Sequence, residues 1–340
     1  MFVVRPAAAS DLDVLAALAE IASPGVHTRP RSRAAVARAL ERSIASFAAV
    51  PDVPGDESYL FVLEAADGAI AGTAALAATA GAAGTYFAFR IDVQHQVSRD
   101  LGISHNVQAL TLSSDLTACS QLSGFFLRAA LPPSEAALLA RARLLFAALA
   151  PQRFADRFFA AMAGTTDADG RSPFWEALGR KFFRMDFLQA EHMVEGARNS
   201  TVIVELMPHY PVYVPLLPPQ AQAAMGQVHD AARQSFALLK TEGFGAGQYV
   251  DIFDGGPILQ APRSALRSFS QATLRTVAGG PVPSEAPGAR YLVAAARDDR
   301  FRAVVADGRL PDLSEDVWLE EAARRALEVS AGDTVLCVRV

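Results

Sequence analysis

Residues 205–257 carry ELMPHYPVYVPLLP (205–218), MGQVHDAARQSFALLKTEGF (225–244) and YVDIFDGGP (249–257). The middle segment predicts an amphipathic helix ended by Gly243, because a glycine after the last turn can adopt the left-handed conformation and let Phe244 pack back on the apolar stripe. A strand over Tyr249-Val250-Asp251-Ile252-Phe253 follows. At the mouth of the helix stands His229, away from any run of acids or bases. Histidine has an unperturbed pKa that lets it take and give a proton near neutrality, so His229 is the leading candidate for proton transfer. The competing reading is a helix-capping histidine that bonds the backbone.

About sixty residues earlier, SPFWEALGRKFF (172–183) repeats the scheme of a short helix closed by a glycine and an aromatic pair, which suggests duplicated architecture. Toward the N-terminus, Phe2-Val3-Val4-Arg5 predicts a strand stopped by Pro6, and Ser10-x-x-Asp13 predicts a capping box that opens a helix. A second helix is expected from about Arg31 to Ala48. Apolar runs at 59–63 and 70–74 flank Asp67-Gly68, a dipeptide that favours a hairpin turn. Gly124-Phe125-Phe126-Leu127 predicts a buried strand, and Pro132-Pro133-Ser134-Glu135 starts a helix with an apolar stripe through Leu138, Leu139, Leu144 and Leu145. Beyond Pro257 the texture changes to short strands at 291–294 and 301–305, a charged helix from Glu315 to Leu327 and a last strand at 335–340.

A chain of 340 residues, 51% apolar, can bury a large core and is long enough for about two domains. Its net charge of -5, with lysines and arginines scattered, offers no basic stripe and argues against a nucleic-acid partner. Cys119 and Cys337 lie far apart and outside CxxC spacing, which points to neither a zinc site nor a disulfide framework. Charged residues interrupt every apolar run before a signal peptide or membrane span could form, so a cytoplasmic protein is expected, without a membrane partner. His27, His95, His105, His192 and His209 sit in polar, charged or proline-flanked stretches and receive no role. No metal cluster is expected.

Taken together, the N-terminal strand and helix, the hairpin at Asp67-Gly68, SPFWEALGRKFF, ELMPHYPVYVPLLP, MGQVH and YVDIFDGGP resemble the arginine N-succinyltransferase family, and within it the alpha-subunit branch. The resemblance covers nearly the whole chain. It implies an α+β fold of duplicated GNAT-like acyltransferase modules, with mostly antiparallel sheets and flanking helices. A first module is expected over residues 1–195, a shorter second one over 196–257, and a small β-rich unit over 258–340. The implied reaction joins succinyl-CoA, as co-substrate rather than resident cofactor, to the α-amino group of L-arginine or L-ornithine.

That reaction must remove a proton from the amine, stabilise charge on the thioester oxygen and protonate the leaving sulfur. The resemblance assigns the proton donor to the histidine of the GQVH motif, here Gly226-Gln227-Val228-His229, and a succinyl-CoA contact to the strand at Phe125 and Phe126. In this architecture that strand splays open and the following helix N-terminus holds the CoA pyrophosphate. Here the connecting loop departs from the pattern: it lacks glycine, Pro132 and Pro133 supply no N–H, and Glu135 would repel phosphate. The segment after Asp115-Leu116-Thr117 also lacks the glycine and asparagine of relatives. A paralogous beta subunit carrying the intact cradle is therefore the expected partner, with a homo-oligomer as the other arrangement and a non-catalytic pseudo-subunit as the alternative function. For a guanidinium substrate, Glu205, Asp251 and Asp254 are the candidate carboxylates nearest His229 in sequence.

Overall fold

The computed structural model describes residues 1–21, 32–128, 131–194, 205–280, 288–297, 300–310 and 315–340. His27, Arg31, Ala129-Ala130 and Glu195 lie outside the described residues, as does the side chain of His192. The N-terminal part runs β1 (Val3–Pro6), α1 (Leu12–Glu20), α2 (Arg33–Ala48), β2 (Ser58–Glu64), β3 (Ile70–Ala77), β4 (Ala88–Ser98), β5 (Ile103–Ser113), β6 (Ser120–Leu127), α3 (Pro133–Leu149) and β7 (Arg157–Ala161). Three short helices follow, α4 (Pro173–Ala177), α5 (Gly179–Phe183) and α6 (Phe187–Val194). Then come β8 (Val212–Tyr213), α7 (Pro219–Ala224), α8 (Arg233–Glu242), β9 (Gly245–Val250), β10 (Pro257–Pro262) and α9 (Arg267–Ser270). The C-terminal part is β11 (Thr273–Val277), β12 (Gly288–Arg297), β13 (Arg300–Arg309), β14 (Asp316–Leu319), α10 (Glu321–Leu327) and β15 (Thr334–Arg339).

This is a mixed α+β fold on one continuous, mostly antiparallel sheet, ordered β12-β15-β11-β14-β13-β1-β2-β3-β6-β7-β10-β9-β4-β5-β8. The extra pairing of β12 with β13 closes β11 to β15 into a ring around a core of Val277, Val304, Val317 and Val335. Helix α3 lies across the middle of the sheet, and its Leu138, Leu139, Leu145 and Phe146 pack with Phe61, Phe158 and Phe301. No described helix is long and apolar enough to cross a membrane.

Local chemistry explains several elements. Gly68, at φ +82, turns the β2–β3 hairpin as Asp67-Gly68 predicts, with Ala65 N–H bonded to Ala69 O at 2.9 Å. Gly243, at φ +119, ends α8 in the left-handed conformation, and Phe244 N–H reaches back to Leu239 O.

Other expectations are corrected. Gly179 does not cap the SPFWEA helix; it opens α5 under Trp175, where a Cβ would stand 2.2 Å from the indole, and Arg184 takes the left-handed position instead. The two helix endings are thus different structures. Ser10 does not cap the first helix, because Asp11 bonds Ala8 N–H at 2.8 Å and is held by Arg5. Pro257 is the first residue of β10, a central strand between β7 and β9, a position where proline's missing N–H is tolerated. Residues 316–319, expected in a helix, form β14 because they pair with β11 and β13.

Two stability predictions arise here. Burial pushes the Asp11 carboxyl up, but hydrogen bonds from Arg5 and Ala8 N–H outweigh it, and the net position is below the usual 3.8. A depressed acid contributes stability above its unfolded pKa and loses it as pH falls through the folded one. Acid unfolding measured below about pH 4 should therefore show a shallower pH dependence in Asp11→Asn than in the native chain. Ser172, fully buried, caps α4 by accepting Trp175 N–H at 3.2 Å, so Ser172→Ala should cost about 1 kcal/mol in urea unfolding.

Candidate active site

The ladder between β6 and β7 is parallel and stops early, at Leu122 opposite Ala160. Beyond that pair the strands part, leaving the end of β6 without a neighbour on that side. On its other edge β6 carries a bulge: Ser123 pairs with Ala75 and Phe126 with Thr73, so Gly124 and Phe125 face one residue of β3. Gly124 takes φ +63 there, and its carbonyl accepts Thr73 Oγ1 at 3.0 Å. The opened strands border a small cleft of about 60 Å³ that is partly open to solvent. Leu122, Phe125, Met162 and Ala163 line the strand side, and Ala232 and Leu239 of the next helical segment close it. Phe125 thus faces the cleft, whereas Phe126 packs on the opposite cluster with Leu15, Leu18 and Leu40.

His229 is not itself among the described residues that line the cleft, but its backbone N–H donates to Ala163 O at 2.8 Å, and Ala231 and Ala232, just after it, form part of the cleft wall. The ring caps the helical turn that leads into α8, with Nδ1 accepting Ala231 N–H at 3.1 Å. This is the capping geometry that one sequence reading of His229 expected. Because Nδ1 is an acceptor, the ring proton of the neutral side chain sits on Nε2. Capping fixes the tautomer, and the free nitrogen carries the hydrogen.

The YVDIFDGGP turn builds the support. Asp254 Oδ2 accepts Gly164 N–H at 2.7 Å and Oδ1 accepts Gly256 N–H at 2.8 Å. Gly255 O accepts Gly226 N–H at 2.8 Å, so the same turn holds the start of GQVH. Asp251 Oδ1 accepts Phe253 N–H at 2.8 Å, and Asp251 N–H donates to Gly256 O. Glycine is required at 256, where a Cβ would lie 2.1 Å from Met162 O. Phe174 covers Gly255, and Trp175 stacks on Phe253 with ring centroids 5.6 Å apart. The SPFW and DIFDGGP motifs are thus two sides of one packing unit.

Asp251 and Asp254 are fully buried; Asp251 Oδ1 faces Phe253 N–H and both Asp254 oxygens face backbone N–H groups, contacts that hold the turn against the start of the His229 segment. Glu205 is exposed beside residues outside the described set and does not line the cleft. Asp115 of the Asp115-Leu116-Thr117 triplet accepts Tyr249 O–H at 2.7 Å and pairs with Arg90. Tyr249 packs with Phe159 and Ile258, whose side chains alternate with those facing α3, so the triplet serves the sheet face away from the cleft. Its departure from the family pattern does not touch the cleft.

The start of α3 agrees with the sequence reading. Pro132 and Pro133 offer no N–H, and the N–H groups of Glu135 and Ala136 are taken by Pro132 O at 3.1 and 3.3 Å. Among the described residues few donors remain there for a phosphate, and the Glu135 carboxylate lies beside them.

Sequence reasoning missed Arg143. It lies on α3, is 1% exposed, and lines the cleft. Its Nε donates to Ala140 O, and Nη1 donates to Ala75 O and Ser123 O at 3.1 and 2.8 Å. The available signal was an arginine pair inside LLARARLLFAAL, since a buried cation in an apolar helix demands a partner.

Comparison with known proteins places this geometry. The model of the family described as arginine N-succinyltransferase beta subunit matches residues 2–268, and that of its C-terminal domain matches residues 273–339. Arginine N-succinyltransferase subunit alpha of Pseudomonas aeruginosa is 42% identical over 342 aligned residues, covering 100% of both chains. Subunit beta of the same organism is 34% identical, over 99% of this chain and 97% of its own. Arginine N-succinyltransferase of Escherichia coli is 34% identical over 100% of this chain and 98% of its own. The solved structure of arginine/ornithine succinyltransferase subunit AI from Pseudomonas aeruginosa superposes with a TM-score of 0.88 at 38% identity, covering 100% of this chain and 98% of the other. The chain belongs to the arginine N-succinyltransferase family.

Proposed function

We propose that this chain transfers the succinyl group of succinyl-CoA to the α-amino group of L-arginine, with His229 as the proton donor. The observation that carries this reading is an opened β6–β7 cleft whose wall includes Ala231 and Ala232, directly after a histidine whose Nδ1 caps the helical turn and leaves Nε2 for proton transfer. The thioester lies along β6 past the bulge, where backbone N–H groups near Phe125 face the oxygen that gains charge. The amine attacks, the C–N bond forms and the C–S bond breaks. His229 Nε2–H protonates the departing sulfur, and the proton released by the amine restores the ring. The two transfers are coupled, because a neutral imidazole that only donated would be left as an unstable anion.

The order β1-α1-α2-β2-β3-β6-α3-β7, with the β4–β5 hairpin inserted between β3 and β6, supports reading the N-terminal part as an acyltransferase-like module, and Ala231, Ala232, Ser235 and Leu239 supply the cleft wall that follows His229. The weak phosphate site at the start of α3 supports dependence on a paralogous beta subunit. Calorimetric titration with CoA tests this: the chain alone should bind weakly, and the reconstituted pair tightly with full turnover. Tight binding and full turnover by the chain alone would overturn the partner dependence. The same feature favours a second reading, a pseudo-subunit that supports a catalytic beta chain, which His229 variants in the pair distinguish.

A further inference from the structure

Helix α3 buries two arginines two residues apart and treats them differently. Arg141 pairs with Glu242 at 2.8 Å, and Glu242 also receives Ser268 N–H, so this cation is compensated. Arg143 is buried more deeply and has no carboxylate partner among the described residues; it meets the carbonyls of Ala140, Ala75 and Ser123 and lies over the Phe125 ring, 5.9 Å from its centroid. Burial pushes its pKa down to about 9, and it is still cationic at neutral pH. Among the described residues its Nη2 makes no hydrogen bond.

An unpaired buried cation is costly, and the fork of a guanidinium fits a carboxylate through two parallel bonds. Arg143 is the one charged residue among the described residues lining the cleft, whose walls near it are Leu122, Phe125, Met162 and Leu239. Apolar walls with a single cation suit a short methylene chain ending in a carboxylate. Phosphates suit them poorly. We propose that Arg143 is the residue that reads the free carboxylate of the donor's succinyl group and so selects succinyl over neutral acyl groups. This rests on the succinyltransferase reading above, and the donor's carboxylate supplies the anion that the fold leaves out.

The test compares succinyl-CoA with butyryl-CoA, which has the same four carbons without the carboxylate, using arginine as acceptor and a beta chain where turnover requires one. The native chain should favour succinyl-CoA by about 10²-fold or more in kcat/KM, the range for a buried charge pair losing one partner. Arg143→Gln should bring that ratio to within about threefold of unity, chiefly through lost succinyl transfer. Equal losses for both donors would mean that Arg143 only supports the β6 bulge, and would overturn the proposal. A native ratio below about threefold overturns it without any variant. Should Arg143→Gln not fold, Arg143→Lys, which keeps the charge but not the fork, should lower the ratio at least tenfold by the same reasoning, and an unchanged ratio would sink the idea. A native chain that transfers succinyl but shows no dependence on residue 143 refutes this inference alone; one that transfers neither acyl group to arginine refutes the functional reading and this inference with it.

Discussion

His229→Ala is expected to lower kcat by about 10²–10⁴-fold in the active assembly, the usual contribution of a positioned acid or base. Alanine also deletes the cap on Ala231 N–H, so the loss has a structural component of about 1 kcal/mol. His229→Asn separates the two, because its side-chain oxygen can accept the same N–H while offering no transferable proton. Unfolding close to native in His229→Asn, with kcat as low as in His229→Ala, identifies lost proton transfer as the cause. Turnover unchanged in both variants would instead make the chain a scaffold for its partner, the second reading above.

Asp254→Ala should be the most damaging substitution for the fold around the site. It strips Gly164 and Gly256 of the acceptor for their buried N–H groups, bonds of 2.7 and 2.8 Å. Each orphaned donor costs about 1–3 kcal/mol, so a loss of roughly 3–5 kcal/mol in urea unfolding is expected. Activity should fall as well, since Gly164 follows the Ala163 carbonyl that holds His229 N–H. Amide hydrogen exchange at Gly164 and Gly256 would show whether the loss is local. Native-like protection at both positions would contradict the role given to this carboxylate.

Features set by neighbours in sequence were legible. Asp67-Gly68 and Gly243 announce themselves because a positive φ is a local demand that glycine meets at low cost. The helix after Pro133 and the strand through Phe125 followed from local pattern in the same way. Features decided by distant contacts were misread. Gly179 looks like a helix stop, yet its lack of a side chain serves Trp175 packing. Ser10 loses the cap to Asp11, whose position depends on Arg5 from the neighbouring strand.

The site divides along the same line. The place of His229 at a helix start was legible because its motif and that start are contiguous. Asp251 and Asp254 stand out locally as acids in a glycine-rich turn, but the contact of Asp254 with Gly164, ninety positions away in the chain, was not legible. Arg143 was overlooked because an apolar helix reads as core, and nothing local shows that β6 opens above it.

The central claim is that the sulfur of the acyl donor lies between the parted ends of β6 and β7, beside His229. A crystal structure of the assembly with CoA tests it most directly. The sulfur should sit past Leu122 and Ala160, with His229 Nε2 within about 3.5 Å of it or joined through one water. A sulfur on the Tyr249 face of the sheet, or one reached by neither nitrogen of His229, would contradict the account.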